Sequence, residues 1–126
     1  MNAVELALAV ASECSLAPAR LSLMDLAGRV GVTKISRGHS AYSRFGLLMR
    51  DKVLLNSRGT DTREGCVTLA HELCHVLMYK SQLTLHIRGS RERFCEEFAY
   101  CLVCLLEIRW LGKVLVEVEC GGGGKT

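Results

Sequence analysis

The chain has 126 residues, 49% of them hydrophobic, with a mean hydropathy of +0.21; that is enough for one core and excludes both a two-domain organisation and intrinsic disorder. The formal net charge is +3, but residues 29–63 hold eight basic against two acidic side chains while the flanking stretches are net negative, so the middle third is basic. Only Tyr42 and Phe45 interleave with that charge, too few aromatics for base stacking, so we read a solvated basic face and expect no direct nucleic-acid binding.

Phe98 to Leu106 is the longest uncharged apolar run, well short of the roughly 20 residues of a membrane-spanning helix. Ala17-Pro18-Ala19 has the small residues of an export cleavage site, but Glu5 and Glu13 interrupt the apolar stretch before it and no Lys or Arg opens it, so no signal peptide is expected. The seven cysteines are an odd number scattered through apolar segments, as suits reduced thiols of a cytoplasmic protein.

In chain order, the apolar spacing of Val4 to Ala11 predicts a first helix, broken before Pro18. Ser22 to Val30 predicts a second, with Leu23, Leu26, Ala27 and Val30 on one face and Gly31 as its stop. Val32 to Ile35 reads as a short strand and Ser36 to Ser43 as a polar loop. Leu26 to Arg37 has a faint likeness to a repressor helix-turn-helix, but the stretch after Gly31 is short and β-branched, against a recognition helix. Phe45–Met49 and Lys52–Asn56 read as a hairpin turning at Arg50-Asp51. Asp61 and Thr62 are placed to cap a helix from about Arg63 to Tyr79, and Ser90 to cap another running to about Trp110, ended by Gly112. Val114 to Cys120 alternates like a half-buried strand, and 121–126 reads as a flexible glycine-rich tail after a single domain of residues 1–120.

The chemistry concentrates in His71-Glu72-Leu73-Cys74-His75. Four residues apart on a helix, His71 and His75 differ by ~40° in azimuth, so both imidazoles can reach one metal ion. Glu72 lies ~100° round from His71, outside the ligand set but within reach of a water at the metal, where a general base must stand. Zinc accepts this donor set and keeps a position open for water. With four His and ten Glu in the chain, chance gives such a motif in roughly one sequence in a hundred. A catalytic zinc needs a third protein ligand. Glu92 and Glu96 follow on the next helix and share a face, so one could bind the metal while the other accepts the outward N–H of a ligating histidine. Tyr79, Tyr100, His39 and His86 remain open as oxyanion donors. Cys101 and Cys104 form a C-x-x-C inside a helix with no second pair, which reads as core packing.

Val67-Thr68-Leu69-Ala70-His71-Glu72-Leu73-Cys74-His75-Val76-Leu77, followed by Glu92-Arg93-Phe94-Cys95-Glu96-Glu97-Phe98-Ala99, resembles the ImmA/IrrE family of zinc metallopeptidases, with their "T-L-A-H-E-L-G-H" and "E-x-x-A-N-x-F-A" helices. The likeness covers roughly residues 20 to 106. It implies a gluzincin-like site with His71, His75 and Glu92 on Zn2+ and Glu72 as base, in a small cytoplasmic protease that cuts a helix-turn-helix transcriptional repressor. Glu96 stands where the family usually has Asn and Leu105 about where a Pro is common; with the chain ending soon after, altered substrate selection is expected. The resulting expectation is an α+β fold, a small antiparallel sheet packed against the two motif helices, with the hairpin strand Lys52–Asn56 as an edge for extended substrate. The alternative is a non-catalytic metal-binding module that grips a regulator or toxin without cutting it.

Overall fold

Helix α1 (Ala3–Glu13) starts where Asn2 Oδ1 accepts the Glu5 N–H at 2.8 Å, filling one of the orphan donors of the first turn. Its buried Ala3, Ala7 and Ala11 recur every four residues, a stripe of small side chains that lets a partner helix approach closely. Helix α2 (Ala19–Arg29) is stopped by Gly31, whose φ of 90° is the left-handed conformation glycine adopts freely. The stop is closed by Val32 N–H to Ala27 O at 2.9 Å and Gly31 N–H to Gly28 O at 3.1 Å.

The computed structural model describes residues 2–32, 34–38, 46–49, 52–56, 62–81 and 90–124, with side chains described for 2–32, 62–78 and 90–119. His39 and His86 lie outside these residues, as does the side chain of Tyr79. Strands β1 (Lys34–Gly38), β2 (Gly46–Met49) and β3 (Lys52–Asn56) pair in the order β1-β3-β2. β2 and β3 are the expected antiparallel neighbours, with Met49 opposite Lys52. β1, however, runs parallel to β3, with Lys34 opposite Lys52 and Gly38 opposite Asn56, so Ser36 to Gly38 belong to a strand and not to the expected loop.

Helix α3 (Arg63–Ser81) is capped by Thr62, whose Oγ1 accepts the Gly65 N–H at 2.9 Å. Helix α4 (Arg91–Gly124) opens on Ser90, which accepts Phe94 N–H at 3.1 Å through its carbonyl and Arg93 N–H at 3.4 Å through Oγ. α4 does not end at Gly112, and the expected strand Val114–Cys120 is helical. Once a helix is running, each further residue adds a hydrogen bond without a new nucleation cost, so one glycine, at about 1 kcal/mol, does not stop it. Apolar residues at 108, 111, 115 and 118 suit helical as well as alternating spacing, and Lys113 pairs with Glu117 at 3.9 Å.

The described core is almost wholly helical, with Cys14 and Val32 beside the helix ends. Leu23 of α2, Leu69, Leu73 and Met78 of α3, and Phe98, Leu102 and Leu106 of α4 are all essentially inaccessible, each stabilising the packed state by roughly 1.5–3 kcal/mol through apolar burial. α3 and α4 form the most extensive contact, and α1 lies along α4. Arg109 of α4 donates to Ala11 O and, at 3.3 Å, to Cys14 O, tying down the end of α1.

The expected α+β fold on an antiparallel sheet is thus corrected: four helices supply all of the described core but Cys14 and Val32, and the short strands pair as a mixed sheet whose β2 and β3 neighbour α3. Parallel pairing needs a crossover between strands distant in sequence, and no local pattern announces it. β3 is the central strand, so the proposed substrate edge at Lys52–Asn56 is paired on both sides. Among the described residues, no helix is long and apolar enough to cross a membrane.

Candidate metal centre and active site

α3 lifts His71 and His75 from the same face, one turn apart, with ring centroids 5.1 Å apart and planes inclined at 53°. α4 delivers Glu92 in its first turn, where a carboxylate is favoured by the helix dipole. Its two oxygens meet the two rings: Oε2 is 3.0 Å from His71 Nε2 and Oε1 is 2.8 Å from His75 Nε2. Ligand atoms of all three side chains lie within 4.8 Å of one another. The histidine side chains are 13% and 22% exposed and Glu92 71%, so the imidazoles form the floor and the carboxylate closes the site from the solvent side.

Glu72 is only 7% exposed. Burial raises the pKa of its carboxyl; the nearby His71 and His75 oppose the shift and Glu92 and Cys95 add to it. An acid pushed toward neutrality accepts and returns a proton more readily at working pH. Glu96 shares the cleft with Glu92 but is not among the converging ligand atoms; it is Glu92 that meets both histidines, and α4's approach to α3 decides between them.

The site opens into a cleft of about 450 Å³ between α3 and α4, with Val67, Thr68 and His71 on one wall, Glu92, Glu96 and Tyr100 on the other, and Arg63 and Glu64 at the end. Tyr100 is the one described member of the four oxyanion candidates to line it. Arg63 is oriented by Glu107 at 3.3 Å and Cys104 Sγ at 3.2 Å. Cys101 and Cys104 are half-buried free thiols on α4.

Sequence reading missed a buried sulfur contact between α3 and α4. Cys95 Sγ donates to Met78 Sδ at 3.3 Å, and Cys74 and His75 act on the acidity of the Cys95 thiol. The bond with Cys74 is the main influence lowering Cys95 from the ordinary thiol range, while the same bond and burial raise Cys74. His75 is raised, first by its bond to Cys95 and against the effect of burial. The signal was in the spacing: Cys95 lies three residues after Glu92, one turn along the same side of α4.

No curated protein and no solved structure matches the chain. Residues 25–104, however, match the model of the IrrE N-terminal-like domain, peptidase family M78. That stretch contains the ligand cluster and Glu72 and is more than half of the chain, which therefore belongs to this peptidase family.

Proposed function

We propose that the chain is a zinc-dependent metalloendopeptidase acting in the cytoplasm, and that its substrate is a helix-turn-helix transcriptional repressor cut at a specific site. One observation carries the reading: two histidines and a glutamate converge on a single point at the wall of an open cleft, with a buried carboxylate beside them. The donor set fits zinc, since the ion accepts imidazole nitrogen and carboxylate oxygen, and three protein ligands leave a position open. His71, His75 and Glu92 would hold it. When bound, zinc supplies Lewis acidity that acidifies a water and polarises the substrate carbonyl.

The chain's own residues do the rest. Glu72 takes the proton of the attacking water and delivers it to the departing amide nitrogen, a double role favoured by its raised proton affinity. The cleft walls of α3 and α4 orient the polypeptide over the ligand set. The choice of a repressor rests on the resemblance of the two motif helices to those of ImmA/IrrE proteins.

The test combines elemental analysis with intact-mass analysis of a helix-turn-helix repressor incubated with the zinc-loaded protein. One zinc per chain and two repressor fragments are expected, with Glu72→Gln keeping the zinc and losing the fragments. No zinc uptake at neutral pH, or cleavage that survives Glu72→Gln, would overturn the reading. Capture of the repressor without fragments would make the chain a non-catalytic binding module.

A further inference from the structure

We propose that the cleft between α3 and α4 is the subsite for a basic side chain of the polypeptide substrate, a lysine or arginine beside the bond to be cut, with Glu96 and Glu64 receiving its charge and Val67 and Tyr100 its hydrocarbon stem. The inference rests on the metallopeptidase reading above and gives it a substrate class.

The two helices run antiparallel here, since His71 meets Glu92 at one end of the cleft and Arg63 meets Glu107 beyond the other. The cleft therefore leads away from the ligand set along both walls. Glu96 stands one turn past Glu92, about 6 Å along α4, and Glu64 seven residues before His71, about 10 Å along α3. Those distances are within the reach of a lysine or arginine side chain whose backbone lies over the metal site. Half-buried Val67 and the 57% exposed Tyr100 line the same stretch. They offer apolar cover for a methylene stem and an aromatic ring that attracts a cation.

The charges along the cleft decide the sign of its occupant. Arg63 is already paired with Glu107 at 3.3 Å and donates to Cys104 Sγ at 3.2 Å, and Glu92 is engaged by the two histidines. On the same helix Glu97 has Arg93 at 3.5 Å. Glu64 and Glu96, by contrast, form no ion pair among the described residues. One comes from each wall of a cavity of about 450 Å³, so the pair repels a substrate aspartate or glutamate and attracts an ammonium or guanidinium.

The experiment measures binding of peptide hydroxamates to the zinc-loaded full chain. The hydroxamate anchors on the metal, and the adjacent side chain is lysine, norleucine (the stem without the ammonium) or glutamate. The lysine probe should bind about 5–30-fold tighter than the norleucine probe at low salt, with the glutamate probe weakest and the lysine advantage shrinking as ionic strength rises. Glu96→Gln and Glu64→Gln should each cut that advantage by about 2–5-fold, and the double variant should erase it while keeping its zinc and its affinity for the norleucine probe. A lysine advantage that survives the double variant, equal binding of the lysine and norleucine probes, or tightest binding of the glutamate probe, which would point to Arg63, overturns the inference alone. Zinc uptake without hydroxamate binding does the same. A chain that takes up no zinc brings down the metal reading and this inference together.

Discussion

Glu92 Oε1 lies 2.8 Å from His75 Nε2, although Glu92 is largely exposed and comes from a different helix. The two histidines are fixed by α3, and the third donor is set by how α4 packs against it. Glu92→Ala should therefore lower zinc affinity by more than the roughly 10–100-fold expected for an orienting residue, and His71→Ala should abolish stoichiometric binding. Glu96→Ala should retain the metal. Elemental analysis of the purified variants checks all three.

Glu72→Gln should cut peptide hydrolysis by about 10²–10⁴-fold while leaving bound zinc unchanged, since it removes proton transfer and no ligand. In the metal-free protein the same change should be stabilising at neutral pH. Burial raises the folded-state pKa of Glu72 above its unfolded value, so its favourable contribution is complete below the unfolded value and is lost as pH rises through the folded one. Glutamine mimics the protonated form. Thermal melts with chelator should show a gain of a few degrees at pH 7 that vanishes near pH 4.

Zinc affinity should fall on acidification from a pH above the ordinary histidine value. The bond to Cys95 raises the proton affinity of His75 despite burial, and a proton on the ring competes directly with the metal. Titration between pH 8.5 and 5.5 should show affinity dropping progressively, the fall beginning above the ordinary histidine value; a flat profile across that range would contradict the assignment of His75 as a ligand.

Arg109→Ala should destabilise the fold by about 1.5–3 kcal/mol, because it removes charge-assisted hydrogen bonds to Ala11 O and Cys14 O at the end of α1. Urea denaturation measures the loss. Arg109→Lys should recover only part of it, since an ammonium cannot present the same planar fork to two carbonyls.

Phe98→Ala should cost about 3–5 kcal/mol. Phe98 is completely buried, and its helix packs on both α1 and α3, so no single element can move in to fill the space. Differential scanning calorimetry of the metal-free protein would read this as a large drop in melting temperature.

The candidate site is legible in the sequence because His71, Glu72 and His75 sit within five residues, where helical geometry alone fixes which side chains share a face. The caps at Thr62 and Ser90 and the stop at Gly31 are legible for the same reason: each is decided within a turn of chain. The choice of Glu92 over Glu96 is not, because the two occupy one face of α4 and only the approach of α3 separates them. Nor is the parallel pairing of β1 with β3, which joins residues 18 apart. At Gly112 and Val114–Cys120 the local preferences point to a break and a strand, and the continuing helix overrides both. Cys95 reads as a core thiol until packing sets it against Met78 of α3.

The continuity of α4 ties the metal centre to a distant part of the molecule. Glu92 stands in its first turn and Arg109 seventeen residues on, about 26 Å along an unbroken rod. Such a rod rotates or slides as a whole far more easily than it bends. Arg109 is clamped to the end of α1, so that grip sets the angle at which the opposite end offers its carboxylate to the histidines. α1 supplies no donor, yet it acts as the far bearing of the site, and trimming its last turn would register as a loosened grip on zinc.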